Sequence, residues 1–111
     1  MTHFKRSASL PDFSFAKQLI DCKTHFQRVR LIESASIEEL ESLFEIAKNV
    51  LAKNIELEPK IVKKLSKFEK VLVFIADSEK NLKRKIKFLK NNPIFVNIFL
   101  QIIGWIISRS I

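Results

Sequence analysis

Cationic side chains recur at helical spacing in two stretches of this 111-residue chain. Lys60, Lys63, Lys64, Lys67 and Lys70 fall three and four residues apart, and so share one helical face. Lys80, Lys83, Arg84, Lys87 and Lys90 repeat the pattern, with Lys85 inside the same run. Ten of the twelve cations after residue 58 are lysines. A lysine is a point charge that attracts a phosphate without fixing its orientation. Two such faces suit sequence-independent contact with a DNA or RNA backbone. The same residues would also serve an anionic membrane surface, an acidic partner or plain solubility.

Other chemistries lack their parts. His3 and His25 are the only histidines and Cys22 the only cysteine, so no zinc-type ligand set assembles and no metal is expected. One glycine is too few for Walker A or dinucleotide loops, and no cofactor is implied. Glu38, Glu39, Glu41 and Glu45 are explained by helix capping and the helix dipole rather than by acid–base catalysis. Cys22 falls on an apolar stripe and reads as a buried thiol. The expectation is a protein that is not an enzyme. There is no tyrosine, and the phenylalanines fall mostly on inward stripes, so no base-stacking platform is indicated. Arg6-Ser7-Ala8-Ser9 fits a basophilic phosphorylation pattern, and Lys83-Arg84-Lys85 a nuclear-targeting one.

Length allows one domain with a modest core. Charge is unevenly divided: residues 1–58 hold 8 Lys/Arg against 9 Asp/Glu, whereas residues 59–111 hold 12 against 3. A lone cysteine fits a reducing compartment. The start, MTHFKRSASLPDF, has no apolar stretch of signal-peptide length. The reading is therefore intracellular or virion-associated, the nucleus included.

The elements that must position the cations are helical. Phe15, Leu19, Cys22, Phe26 and Val29 predict a first amphipathic helix running to about Glu33. Ser36-Ile37-Glu38-Glu39 is a capping box that starts a second, with Leu40, Leu43, Phe44, Ala47, Val50 and Leu51 inward and Asn54 at its end. Pro59 opens a third, whose buried stripe is Ile61, Leu65, Phe68, Leu72 and Ile75. Asp77-Ser78 reads as a break and new cap, followed by inward Leu82, Ile86 and Leu89. Asn91-Asn92-Pro93 ends that helix.

Residues 94–107 are then almost wholly apolar, interrupted by Asn97, Gln101 and Gly104 on one narrow stripe. Fourteen residues rise roughly 21 Å, short of a hydrocarbon layer of roughly 30 Å. A core helix or an interfacial one fits better than a spanning anchor. Phe95, Phe99, Ile102, Trp105 and Ile106 are its candidate contacts to a core, a partner or lipid.

One resemblance adds to this. Ala35-Ser36 before Glu39-Leu40, Ile46-Ala47-Lys48-Asn49-Val50-Leu51 before Asn54-Ile55, the Leu65/Phe68/Leu72 spacing, Ile75-Ala76 and Leu82-Lys83 form a pattern over about half the chain. It resembles the small basic proteins of adintoviruses and Polinton-type elements, which have been likened to adenovirus core protein X. That family tends to carry a Gln-Lys-Gly-Gly type turn before its apolar tail, where this chain has Asn91-Asn92-Pro93. The resemblance implies a virion-associated protein that packs DNA or disturbs membranes.

Together these give an all-α domain: a compact bundle of four or five short helices over 13–111, after a flexible segment 1–12. Its basic half is 59–92 and its apolar C-terminal helix 93–108. The expected role is non-enzymatic: an accessory protein of a virus or mobile element, binding the DNA backbone through lysine-rich faces. The alternatives are a membrane-active protein whose tail inserts at an interface, and a helical interaction or oligomerisation module.

Overall fold

Seven helices follow one another in the computed structural model, which describes residues 12–52 and 55–110. They are α1 (Ser14–Asp21), α2 (His25–Ser34), α3 (Ile37–Leu51), α4 (Pro59–Ser66), α5 (Glu69–Ala76), α6 (Leu82–Asn91) and α7 (Pro93–Ser110). The all-α class holds. The count exceeds four or five because two expected helices are each divided.

The first division falls between α1 and α2. Cys22 turns extended, and Thr24 caps a new helix by accepting from the Gln27 N–H at 3.2 Å. Gln27 returns the contact through Oε1 to the Lys23 N–H at 2.7 Å. This Thr-x-x-Gln exchange satisfies donors that a helix start leaves unpaired. The break redirects the stripe: Phe15 and Leu19 are buried, but Phe26 is 69 % exposed, with Arg30 stacked over its ring. Cys22 is half-buried rather than a core thiol.

The second division separates α4 from α5. The Phe68 N–H bonds back to the Leu65 carbonyl at 2.8 Å, a tightened last turn, and the chain restarts at Glu69. The bend lets Leu65 and Leu72 enter the core and brings the Phe68 ring 5.6 Å from Phe95.

Between α2 and α3 the capping box forms in full: the Glu39 N–H donates to Ser36 Oγ at 3.1 Å, and the Ser36 N–H to Glu39 Oε1 at 3.0 Å. Asp77 does not cap α6. Asn81 does, accepting from the Arg84 N–H at 3.3 Å, while Asp77 Oδ1 takes the Glu79 N–H within the loop. The Asn54 helix end lies outside the described residues, as do segment 1–11 and its Arg6-Ser7-Ala8-Ser9 pattern.

Packing places α3 against α5 and α1, and α7 against α1 and α6, while α2 lies on α6. Buried side chains on α7 are Phe95, Val96, Phe99, Leu100, Ile102, Ile103 and Ile106. Phe95 is the hub of an aromatic cluster, with ring centroids 5.8 Å from Phe88 and 5.5 Å from Phe99; Phe74 adds an edge contact to Phe88 at 5.9 Å. Edge and offset aromatic pairs each add roughly 0.5–1.5 kcal/mol beyond area burial. The radius of gyration, 13.1 Å, matches the roughly 13 Å of a folded domain of this length.

The α6–α7 corner is sharp. The helices meet at 97° across Asn92, whose Nδ2 donates to the Phe88 carbonyl at 2.7 Å. The corner is braced by α2. His25 Nε2 donates to the Lys90 carbonyl at 2.8 Å, and the Lys90 ammonium pairs with Glu33 at 2.6 Å. Arg28 Nε caps α1 through the Leu19 carbonyl at 3.0 Å, and its Nη1 reaches Asn97 Oδ1 at 3.5 Å.

Candidate nucleic-acid interface

The basic residues divide once the helices are in place. On α6, Lys83, Arg84 and Lys87 are exposed, and Lys80 is exposed in the loop before it. On α4 and at its end, Lys60, Lys63, Lys64 and Lys67 are exposed. Ion pairs among the described residues are Lys48–Glu45, Lys90–Glu33 and Arg109–Glu58, so none of these eight cations has a carboxylate partner there. Helices α4 and α6 are not extensively packed on one another, so the cations form two patches carried by separate helices.

The patches differ electrostatically. On α4, Lys63 and Lys64 occupy the last turn, where the negative end of the helix dipole favours cations. On α6, Lys83 and Arg84 occupy the first turn, at the positive end, and no acid accompanies them. Cations there cost about 0.3–1 kcal/mol each in an isolated helix. An anion docked at that end would be attracted by side chains and dipole alike.

Two expected surface cations lie elsewhere. Lys85 is only 4 % exposed: the inward stripe of Leu82, Ile86 and Leu89 sweeps past it, and its ammonium sits 4.6 Å above the Phe44 ring on α3. Burial pushes its pKa down from 10.5, with nearby Asp77 pulling back the other way. Lys90 is half-buried and committed to Glu33. Neither belongs to an outward basic face.

For the C-terminal helix, Phe95, Phe99, Ile102 and Ile106 are buried inside the monomer. Trp105 is half-buried, with Arg109 over its ring at 4.9 Å and Arg109 tied in turn to Glu58 at 3.2 Å. Asn97 and Gln101 are exposed, whereas Gly104 lies partly covered against Ile20 of α1. Among the described residues no single helix is long and apolar enough to cross a membrane. Helices α6 and α7 pass that test only as a pair, across their 97° bend.

The surface is also indented. A cleft of about 280 Å³ opens between α3, the α5–α6 loop and α6, with Lys85 in its lining. A larger, apolar groove of about 520 Å³ runs between the end of α3, residues 55–57, α4 and α5. Among the described residues no cluster of His, Cys, Asp or Glu has the makings of a metal site. Comparison with family models, with curated proteins and with solved structures gives no match.

Proposed function

We propose that this chain is a non-enzymatic nucleic-acid-binding protein that docks the N-terminal half of α6 on duplex phosphates. The carrying observation is the trio Lys83, Arg84 and Lys87: exposed, free of carboxylate partners among the described residues, and set at or near the positive end of a helix dipole. That placement works against the isolated helix and in favour of a bound anion. Lys80 extends the patch, and Lys60, Lys63, Lys64 and Lys67 supply a second contact from α4. With no aromatic platform beside these residues, binding reads the backbone and not the bases. In this reading the chain serves as an accessory DNA-packing protein of a virus or mobile element, the role its sequence resemblance implies.

Membrane insertion is the second reading, favoured by the apolar length of the α6–α7 pair. It would require α7 to leave a core to which it contributes seven buried side chains.

Fluorescence anisotropy with a labelled duplex of about 20 base pairs at low salt tests the proposal. Replacing Lys83, Arg84 and Lys87 together with Gln is expected to weaken binding at least tenfold, since each phosphate contact contributes to counterion release. Affinity unchanged in the triple variant would remove α6 from the interface. Binding to anionic vesicles but not to duplex would favour the membrane reading.

A further inference from the structure

Lys85 is a covered lysine whose ammonium makes no ion pair among the described residues, with Asp77 and Glu41 acting on it only at longer range. Its side chain enters the cleft between α3, the α5–α6 loop and α6, and among the described residues it has neither a hydrogen bond nor an ion pair. Its one specific contact is the Phe44 ring face. A lysine so deeply covered is costly unless paired, and truncation to an apolar residue would avoid the cost. Around it the cleft offers two kinds of wall. Phe44, Ala76 and Leu82 are apolar, while Ser78, Lys80 and Lys48 are polar or cationic. The acids are Glu45, engaged with Lys48 at 3.7 Å, and Glu41.

We propose that this cleft binds a small carboxylate monoanion with a compact apolar body, its carboxylate at Lys85 and Lys80 and its body against Phe44, Ala76 and Leu82. Charge selects the class. Three ammonium groups and two carboxylates line the space and Asp77 acts on Lys85 from beyond the lining, so a single further negative charge is accommodated while a dianion beside Glu41 and Asp77 is opposed. Size agrees, since about 280 Å³ lies near the lower end for small-molecule pockets. Burial lowers the proton affinity of Lys85, and a carboxylate bound beside it would favour the charged form. The proposal does not rest on nucleic-acid binding: Lys85 faces the cleft, and the α6 trio faces solvent.

Benzoate, with inorganic phosphate as the dianionic comparison, probes the site by two-dimensional NMR of the full chain. Benzoate at millimolar concentration is expected to shift resonances of Phe44, Ala76, Ser78 and Leu82 saturably, with phosphate at least tenfold weaker. Lys85→Met, which keeps the length of the stem, is expected to abolish the saturable shift. The Lys83→Gln variant is expected to keep it, and both variants to retain the parent's dispersion. Shifts that persist in Lys85→Met, fail to saturate, or follow phosphate as strongly as benzoate would overturn the assignment. So would no shift at all in a well-dispersed parent spectrum.

Discussion

At the residue scale, most side chains do what their type and spacing dictate, and the exceptions mark where neighbours intervene. The Ser36–Glu39 box is complete, as a Ser-x-x-Glu spelling implies. Lys85 is the contrast. Its neighbours at 83, 84 and 87 are outward, whereas Lys85, three residues after Leu82 and four before Leu89, falls on the apolar stripe that the surrounding lysines disguise. Phe44 on α3, distant in the chain, supplies the ring face that receives the ammonium. A titration follows from it. The native state holds its Lys85 proton less tightly than the unfolded chain, whose value is near 10.5. Below both values the two states are equally protonated and the cost of burying the charge is fully felt. As pH rises through the lowered native value toward 10.5, the native state sheds the proton first and Lys85's cost diminishes. Urea denaturation as the pH is raised toward 10.5 is therefore expected to show parent stability rising relative to Lys85→Met. A pH-independent difference would show that the ammonium is not desolvated.

Gly104 makes a second residue-scale prediction. A Cβ built there would lie 3.9 Å from Ile20 Cδ1, an ordinary contact, so the space exists. Glycine within a helix costs roughly 0.8–1.0 kcal/mol relative to alanine. Gly104→Ala is thus expected to stabilise by about that amount in chemical denaturation. Destabilisation would mean that α1 and α7 leave no room for a methyl group between Gly104 and Ile20.

At the element scale, apolar periodicity located the helical segments but not their breaks. The stripe Phe15–Leu19–Cys22–Phe26–Val29 is continuous in sequence, yet α1 and α2 are separate because Thr24 and Gln27 satisfy a new helix start. That Thr-x-x-Gln spelling is a capping signal in the sequence, masked by the continuous apolar stripe. The α4–α5 break had no such signal. It serves the aromatic contact between Phe68 and Phe95, which depends on tertiary structure. The basic faces on α4 and α6 were legible as spacing, but their separation onto helices without extensive mutual packing was not. Helix α7 makes the element-scale prediction. Seven buried side chains at roughly 1.5–3 kcal/mol each contribute roughly 10–20 kcal/mol of burial, comparable with the entire roughly 5–15 kcal/mol stability of a domain. A chain ending at Asn92 is expected to lose cooperative thermal unfolding. A sigmoidal melt at the parent's midpoint would show that α7 is no part of the core.

At the scale of the whole molecule, the two chemistries meeting at Asn92 have different tasks. The apolar half, α7, turns 97° away from α6 and is enclosed by the fold. The exposed cations of α4 and α6 stay outside, and residues 59–111 hold 12 Lys/Arg against 3 Asp/Glu while residues 1–58 hold 8 against 9. A molecule so divided draws polyanions toward its basic half at long range, but only contact that displaces counterions gives a stoichiometric salt dependence. The most direct measurement is the affinity for a short duplex as a function of salt between about 50 and 200 mM. The account predicts a linear log–log plot with a slope of about −0.9 per phosphate neutralised, so roughly −3 or steeper for the α6 trio alone, and a shallower slope when Lys83, Arg84 and Lys87 are Gln. A duplex affinity independent of salt, or no binding at the lowest salt, would contradict it.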